Sequence, residues 1–312
     1  MKKNILTLLF LFLLCSFASA QDDLSDIVNQ STQSEGSDVV MATFKGLRII
    51  NAQTNETAKK HNLQFNIQHR FGDIGGTGGG FHTFYGLDQA PDIRFSFDYG
   101  LSDRLQLGVG HSKGLEPYRE LFDANIKHRL LRQTTDDKMP LAITLYGVLA
   151  GTARKSSSDS TSDSYFENDF SHRFSYVSQA IIARKFTSGF SFELIPTWVH
   201  RNYVTFDNEN DLFFLGAGLR MKFSKRIALI ADYYYDFRDG KDASGNKIFY
   251  DPLSVGIEIE TGGHVFQLLF TNSTGLLENS YLPFTRSNWL DGQFRWGFNL
   301  TRNFVIGGKG NY

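Results

Sequence analysis

Hydrophobic and polar residues alternate along much of the chain, most regularly over residues 211–240. Every second position from Phe213 to Phe223 is apolar, and after a turn at residues 224–226 the same holds from Ile227 to Phe237. A period of two is typical of β-strands. An ordinary strand has about 5 to 6 residues, and these runs are longer. Their length suits a tilted membrane strand, which needs about 9 to 11 residues to span the bilayer and extends beyond it at both ends. We therefore predict a long antiparallel hairpin here.

The two faces of this hairpin differ in a way that favours a membrane protein. The apolar face is rich in aromatic residues, whereas the other face mixes glycine with charge, as in Gly216, Gly218, Arg220 and Lys222. A transmembrane barrel has a lipid-facing apolar band around a polar lumen, and its strands show this mixture.

The same pattern recurs along the chain and predicts an all-β fold, a transmembrane antiparallel β-barrel of about 12 strands. Connections near residues 102, 188, 225 and 262 are tight, and those near 80, 160, 245 and 281 are long. Outer-membrane barrels have short periplasmic turns and long outer loops. We therefore expect the long loops to be extracellular and both termini to be periplasmic.

The end of the chain allows two interpretations, a turn at residues 300–303 or one continuous strand. Phe294, Trp296, Phe298 and Leu300 share a parity that Phe304 and Ile306 continue. We predict one long strand, which also gives the even strand number of bacterial barrels.

The start of the chain differs in composition from the predicted barrel. Lys2 and Lys3 precede an apolar run and the sequence Ala18-Ser19-Ala20, which together predict a signal peptide over residues 1–20. Residues 21–62 are predicted to be a periplasmic lead, and its more apolar part, residues 39–50, is compatible with an extra strand, a cap or a plug. Residues 63–312 form the predicted barrel.

Composition narrows the possible chemistry. The single cysteine, Cys15, lies in the predicted signal peptide, so the mature chain has neither a disulfide nor a thiol nucleophile. Without Lys2 and Lys3 the chain has 30 basic and 33 acidic residues, a net charge of -3. This balance does not indicate nucleic-acid binding. We expect no cofactor.

Charged residues on the inward parity form the main candidate site, a set of seven bases and seven acids. The mixture of signs argues against a selectivity ring of one sign. It is compatible with a charge-paired network that fills a narrow barrel, because buried charges must be paired, and also with a narrow hydrophilic conduit. The predicted lumen-lining residues are Arg70, Arg94, Asp98, Asp123, Lys127, Arg129, Glu193, Arg220, Lys222, Asp232, Asp236, Glu258, Glu260 and Arg295.

Other motifs offer weaker candidates. His111 and Ser112 suggest a lipid esterase, but neighbouring strand residues point to opposite faces, so they cannot share a lipid-facing strip. The pairs His69-Arg70, His172-Arg173 and His200-Arg201 fall near predicted outer strand ends. They are compatible with a basic rim that binds lipopolysaccharide phosphates and with ordinary interfacial polarity. No two histidines have metal-ligand spacing on one element, so we predict no metal site.

Four strings carry a resemblance to a known family: HRFG at residues 69–72, FYGLDQAPDIRFSFDYGLSDRLQLGVG at 84–110, KHRLLRQ at 127–133 and MPLAITLYG at 139–147. They resemble an uncharacterised family of Gram-negative outer-membrane β-barrels, a domain of unknown function. The resemblance implies a barrel in the cell outer membrane and supplies no activity or site residues.

These observations favour a passive outer-membrane barrel, either a narrow pore or a structural barrel with a charge-paired lumen, and no enzyme. The alternatives are a lipid-modifying enzyme and a barrel whose loops dock a surface complex. The expected partners are outer-membrane lipids, lipopolysaccharide and the barrel-assembly machinery, and not nucleic acid.

Overall fold

The computed structural model describes residues 39–114, 119–159, 161–162, 164–166, 169–204, 208–238, 240, 245 and 247–306. The predicted signal peptide and the first part of the predicted lead, residues 21–38, lie outside the described residues.

The described residues contain twelve strands that form one closed antiparallel barrel. Each strand pairs with its neighbours in sequence, and β1 and β12 pair to close the sheet. The predicted fold class is therefore confirmed. The strands are β1 (Asn62–Asp73), β2 (Asp92–Gly100), β3 (Leu105–Ser112), β4 (Leu121–Leu131), β5 (Ala142–Thr152), β6 (Phe174–Lys185), β7 (Phe190–Arg201), β8 (Asp211–Lys222), β9 (Ile227–Asp236), β10 (Leu253–Thr261), β11 (His264–Thr271) and β12 (Arg295–Val305).

Burial follows the two-residue period of the sequence. In β4, Phe122 and Ile126 are exposed on the outer face, whereas Asp123 and Lys127 are buried inside. An arrangement with apolar residues outside and charges inside is the reverse of a soluble protein and is the one that a lipid environment requires.

The two ends of the barrel differ. At one end of the barrel β1 begins and β12 ends. The same end carries the tight connections at residues 101–104, 186–189, 223–226 and 262–263. Longer connections occupy the other end and include a short helix, α1 (Glu278–Phe284). No helix in the described part of the chain is long and apolar enough to cross a membrane.

Two strands have features of note, since β12 is continuous and β7 contains a proline. β12 runs unbroken through Leu300 and Thr301 and pairs with β1 throughout, so the prediction of a single final strand is correct. Pro196 removes a backbone donor, and the pairing of β6 with β7 is interrupted beside it. The same register resumes on both sides of the gap, so the proline removes ladder bonds without a bulge.

Candidate functional site

The lumen contains a segment of the chain's own N-terminal region, residues 44–58, here called the N-terminal hairpin. Val40, which precedes the segment, donates its N–H to Gln133 O, and Thr57 Oγ1 donates to Asp103 O, so the chain enters and leaves the segment at the end with tight turns. Residues 49–52 form a tight turn that is closed by Ile49 N–H donating to Ala52 O. Most of the hairpin is buried.

A single carboxylate of β9 binds the tip of the hairpin. Asp232 Oδ2 accepts hydrogen bonds from the backbone N–H groups of Ile50, Asn51 and Ala52 at 3.2, 2.7 and 3.0 Å. Asp232 is 2% exposed, so these contacts take the place of water around its charge. Arg70 also binds the tip, with Nη2 donating to Asn51 Oδ1 at 2.8 Å.

A lysine of β4 binds the base of the hairpin. Lys127 Nζ donates to the backbone oxygens of Leu47, Thr54 and Glu56 at 3.0, 3.2 and 3.2 Å. Arg129 also reaches the base, where Nη2 lies 2.9 Å from Glu56 Oε2. Two buried wall charges of opposite sign, Lys127 and Asp232, thus bind the main chain of one insert.

A second insert comes from the long connection between β11 and β12. Residues 276–284, here called the outer-loop insert, include α1, and Leu277, Tyr281 and Leu282 are at most 1% exposed. They belong to an apolar cluster that lines the inner face of β5–β9. Its wall residues include Tyr146, Val148, Ala150, Val177, Ile181, Ile195, Val199, Leu212, Phe214 and Tyr234.

This apolar part of the lumen is a feature that the sequence analysis missed. The signal was present, because Ile195 and Val199 of β7 share the inward parity of Glu193, so part of that strand is apolar on both faces. Apolar residues on the inner face of a membrane barrel, whose lumen is otherwise polar, indicate something apolar packed inside.

The two inserts meet at Glu278. Arg48 Nη1 lies 2.7 Å from Glu278 Oε1, and Gln53 Nε2 donates to the same oxygen at 3.0 Å. Tyr281 Oη donates to Asn51 O at 3.4 Å. Burial lowers the pKa of Arg48, but the Glu278 carboxylate, together with the side chains of Tyr146 and Tyr281, raises it more, so the net pKa lies above the usual arginine value. The guanidinium is therefore charged, and Arg48–Glu278 is an ion pair, here called the latch.

Of the predicted lumen residues, all but two are buried. Glu260 is half-buried and binds Arg220, whose Nη2 lies 2.6 Å from its Oε1. Lys222 is corrected to a rim position, because it is the last residue of β8 and is exposed. The buried members are Arg70, Arg94, Asp98, Asp123, Lys127, Arg129, Glu193, Arg220, Asp232, Asp236, Glu258 and Arg295.

Some of these charged residues form ion pairs along the inner surface of the barrel. Arg94 of β2 reaches over β3 to Asp123 of β4, with Nη2 and Oδ1 2.7 Å apart. Gly110 makes this contact possible, because a Cβ there would lie 2.4 Å from Arg94 Nη2 and 2.5 Å from Asp123 Oδ2. Glycine on the inner face of β3 thus leaves room for side chains of the two neighbouring strands to meet.

The weaker sequence candidates do not assemble into sites. His111 points outward and Ser112 is buried inside, as strand alternation requires. Arg70 and Arg201 are 0% and 1% exposed on the inner face, so these two pairs do not contribute to a basic rim, which was one of the two interpretations that the sequence allowed. Within the described ranges there is no cluster of three or more histidine, cysteine, aspartate or glutamate side chains suited to a metal.

Comparison with known proteins identifies the family. Residues 44–304 match the model of a family described as "Membrane bound beta barrel domain (DUF5777)". The chain belongs to this family. The resemblance seen in the sequence is therefore confirmed, and the protein is a membrane β-barrel. The match begins at Phe44 and ends at Phe304, so it includes the N-terminal hairpin and all twelve strands except the last residue of β12.

Several solved porins and channels are similar to this member of the family. "KdgM porin" is 8% identical, with a TM-score of 0.46, and the match covers 78% of this chain and 99% of that one. An outer membrane channel from Pseudomonas putida is 12% identical, with a TM-score of 0.47 and coverage of 80% and 98%. A NanC porin is 6% identical, with a TM-score of 0.45 and coverage of 78% and 100%. A search of curated proteins finds no match.

Proposed function

We propose that this protein is a gated pore of the outer membrane, which admits small hydrophilic solutes and is closed in the state described above. The observation that carries the proposal is the occupied lumen, in which the N-terminal hairpin and the outer-loop insert meet at the latch. The N-terminal hairpin is the gate, and its withdrawal toward the end with tight turns opens the passage.

The two inserts are bound by different forces, and this difference supports the choice of gate. The outer-loop insert buries several large apolar side chains against the wall, and such burial is lost when the segment moves into water. The hairpin has a smaller apolar cluster around Phe44, Ile49 and Ile50, and polar contacts to Asp232 and Lys127. Water can replace most of the free energy of those hydrogen bonds.

The architecture also supports an outer-membrane location. The predicted signal peptide directs the chain out of the cytoplasm. A barrel with short turns and both strand termini at one end, and long loops at the other, matches the asymmetry of outer-membrane barrels. In this orientation the hairpin enters from the periplasm.

Solute entry into proteoliposomes distinguishes a gated pore from a purely structural barrel. Asp232→Asn removes the charge that binds three backbone N–H groups of the hairpin tip, so it favours the withdrawn hairpin. We expect vesicles with this variant to swell faster in small neutral sugars than vesicles with the parent protein.

Asp236→Asn is the matched control, because Asp236 is a buried acid of the same strand that binds Arg238 rather than the hairpin. Its vesicles should swell like those of the parent. If the Asp232→Asn vesicles also swell no faster, the barrel is structural and the pore proposal is wrong.

A further inference from the structure

The wall of the lumen contacts the main chain of the hairpin through many directed hydrogen bonds. From this pattern we infer that the lumen contains a binding site for short peptides, and that the N-terminal hairpin is its built-in occupant. The inference rests on the proposed gated pore and adds the class of solute that the open lumen binds.

The wall presents both a donor site and an acceptor site to backbone groups. Lys127 binds three carbonyl oxygens, and Asp232 binds three successive N–H groups. Two neutral groups add to these contacts: Thr144 Oγ1 donates to Asn55 O at 2.9 Å, and Asn299 Nδ2 donates to Ile50 O at 3.0 Å. These contacts would be available to a main chain of almost any sequence.

The surface of the wall is also shaped around a polypeptide. A Cβ at Gly218 would lie 2.2 Å from Ile49 Cδ1, so this inward glycine leaves room for the side chain of the occupant. Beside it, Glu193 is 0% exposed, and its carboxylate faces the backbone N–H of Asn55 in the hairpin. Among the described residues, Gln68 Nε2 on the opposite wall is buried without an acceptor. These polar groups can bind donors and acceptors of a ligand that replaces the hairpin.

Peptides fit this chemistry better than sugars. Three successive backbone N–H groups converge on one oxygen of Asp232, an arrangement that a tight peptide turn forms readily. The hydroxyl groups of an oligosaccharide are not fixed in such a row, although they too can donate and accept. An oligosaccharide is therefore the competing ligand in the test.

The test uses the full chain with Arg48→Met, which removes the latch from the hairpin side and leaves Lys127 and Asp232 intact. The probes are a peptide of residues 44–58 with blocked ends, a scrambled peptide of the same composition, and a maltooligosaccharide of similar mass. In planar bilayers both peptides should block the current, at concentrations at least tenfold below that of the sugar. Adding Lys127→Met should weaken the peptide block at least tenfold, whereas Lys222→Met, at the exposed rim, should not change it.

A second readout does not depend on conduction. Fluorescence anisotropy of the labelled peptide in detergent should show tighter binding to the Arg48→Met variant than to the parent, because the parent's own hairpin competes for the site. Equal block by peptide and sugar, or no effect of Lys127→Met, would overturn the peptide site while leaving the pore intact. Peptide binding without any conduction would instead refute the pore, and the absence of binding in both assays would refute the peptide site.

Discussion

Removal of the latch should shift the equilibrium between the closed and the withdrawn N-terminal hairpin by a predictable amount. Arg48 Nη1 lies 2.7 Å from Glu278 Oε1 and also donates to Asn51 O at 2.9 Å. Arg48→Met keeps much of the aliphatic stem but leaves the fully buried Glu278 carboxylate with Gln53 and without a cation. Removal of one partner of a buried ion pair costs about 3 to 5 kcal/mol.

This cost falls on the closed state alone, because withdrawal of the hairpin admits water to Glu278. The equilibrium between closed and withdrawn hairpin should therefore shift by about 100-fold to several-thousand-fold, at about 1.4 kcal/mol per factor of ten. Glu278→Gln combined with Arg48→Met removes both charges. The combination should restore most of the closed population, because no unpaired buried charge remains.

The assay is the labelling rate of a cysteine at Ala52, which is 0% exposed at the hairpin tip. With a membrane-impermeant maleimide and fast reclosing, the rate reports the open population. We expect labelling to rise at least 100-fold with Arg48→Met and to return within about tenfold of the parent rate in the double variant, since about 1.4 kcal/mol corresponds to a factor of ten. An unchanged rate in Arg48→Met, or a double variant as fast as the single one, would refute the latch.

Three further predictions concern the barrel itself. A cysteine at Ser157, in a long connection, should be labelled on intact cells and one at Ser188, in a tight turn, should not; the reverse pattern would invert the orientation. Gly108→Ala places a Cβ 2.2 Å from a neighbouring carboxylate oxygen and should lower the melting temperature through overpacking of about 1 to 3 kcal/mol. Gly262→Ala, with no atom within 4 Å of its Cβ, is the control, and equal effects would contradict the spacing argument. Phe304→Asp, near the end of β12, should lower the stability of the folded barrel by about 1 kcal/mol, and the purified variant should refold in detergent almost normally. Its yield in the outer membrane of cells should fall further, because the final strand signals assembly. Equal losses of refolding and of yield in cells would mean that Phe304 contributes ordinary packing.

The barrel was predictable because alternate residues of each strand face lipid and lumen, and their polarity differs accordingly. This regularity gave the strand number and the continuity of β12 through Leu300 and Thr301. Strand ends are less well defined, because the pattern fades where side chains leave the bilayer. The barrel was predicted to begin at residue 63, and its first strand extends over Asn62–Asp73.

The contents of the lumen were much harder to predict. Parity placed Lys127 and Asp232 on the inner face, but their partners are backbone groups of the hairpin, which every residue carries and no sequence pattern marks. The latch joins residues 48 and 278, which only the closed barrel brings together. The apolar inner positions of β7 were visible, and their meaning depended on knowing that a loop folds inward.

The most direct test of the closed lumen is hydrogen–deuterium exchange of the purified full chain in detergent. The backbone N–H groups of Ile50, Asn51 and Ala52 are buried and bound to Asp232, so peptides that cover residues 47–55 should exchange as slowly as strand peptides from β4. The exposed turn at residues 223–226 provides the fast reference. If residues 47–55 exchange as fast as that turn, the hairpin does not occupy the lumen and the gated pore proposed here is wrong.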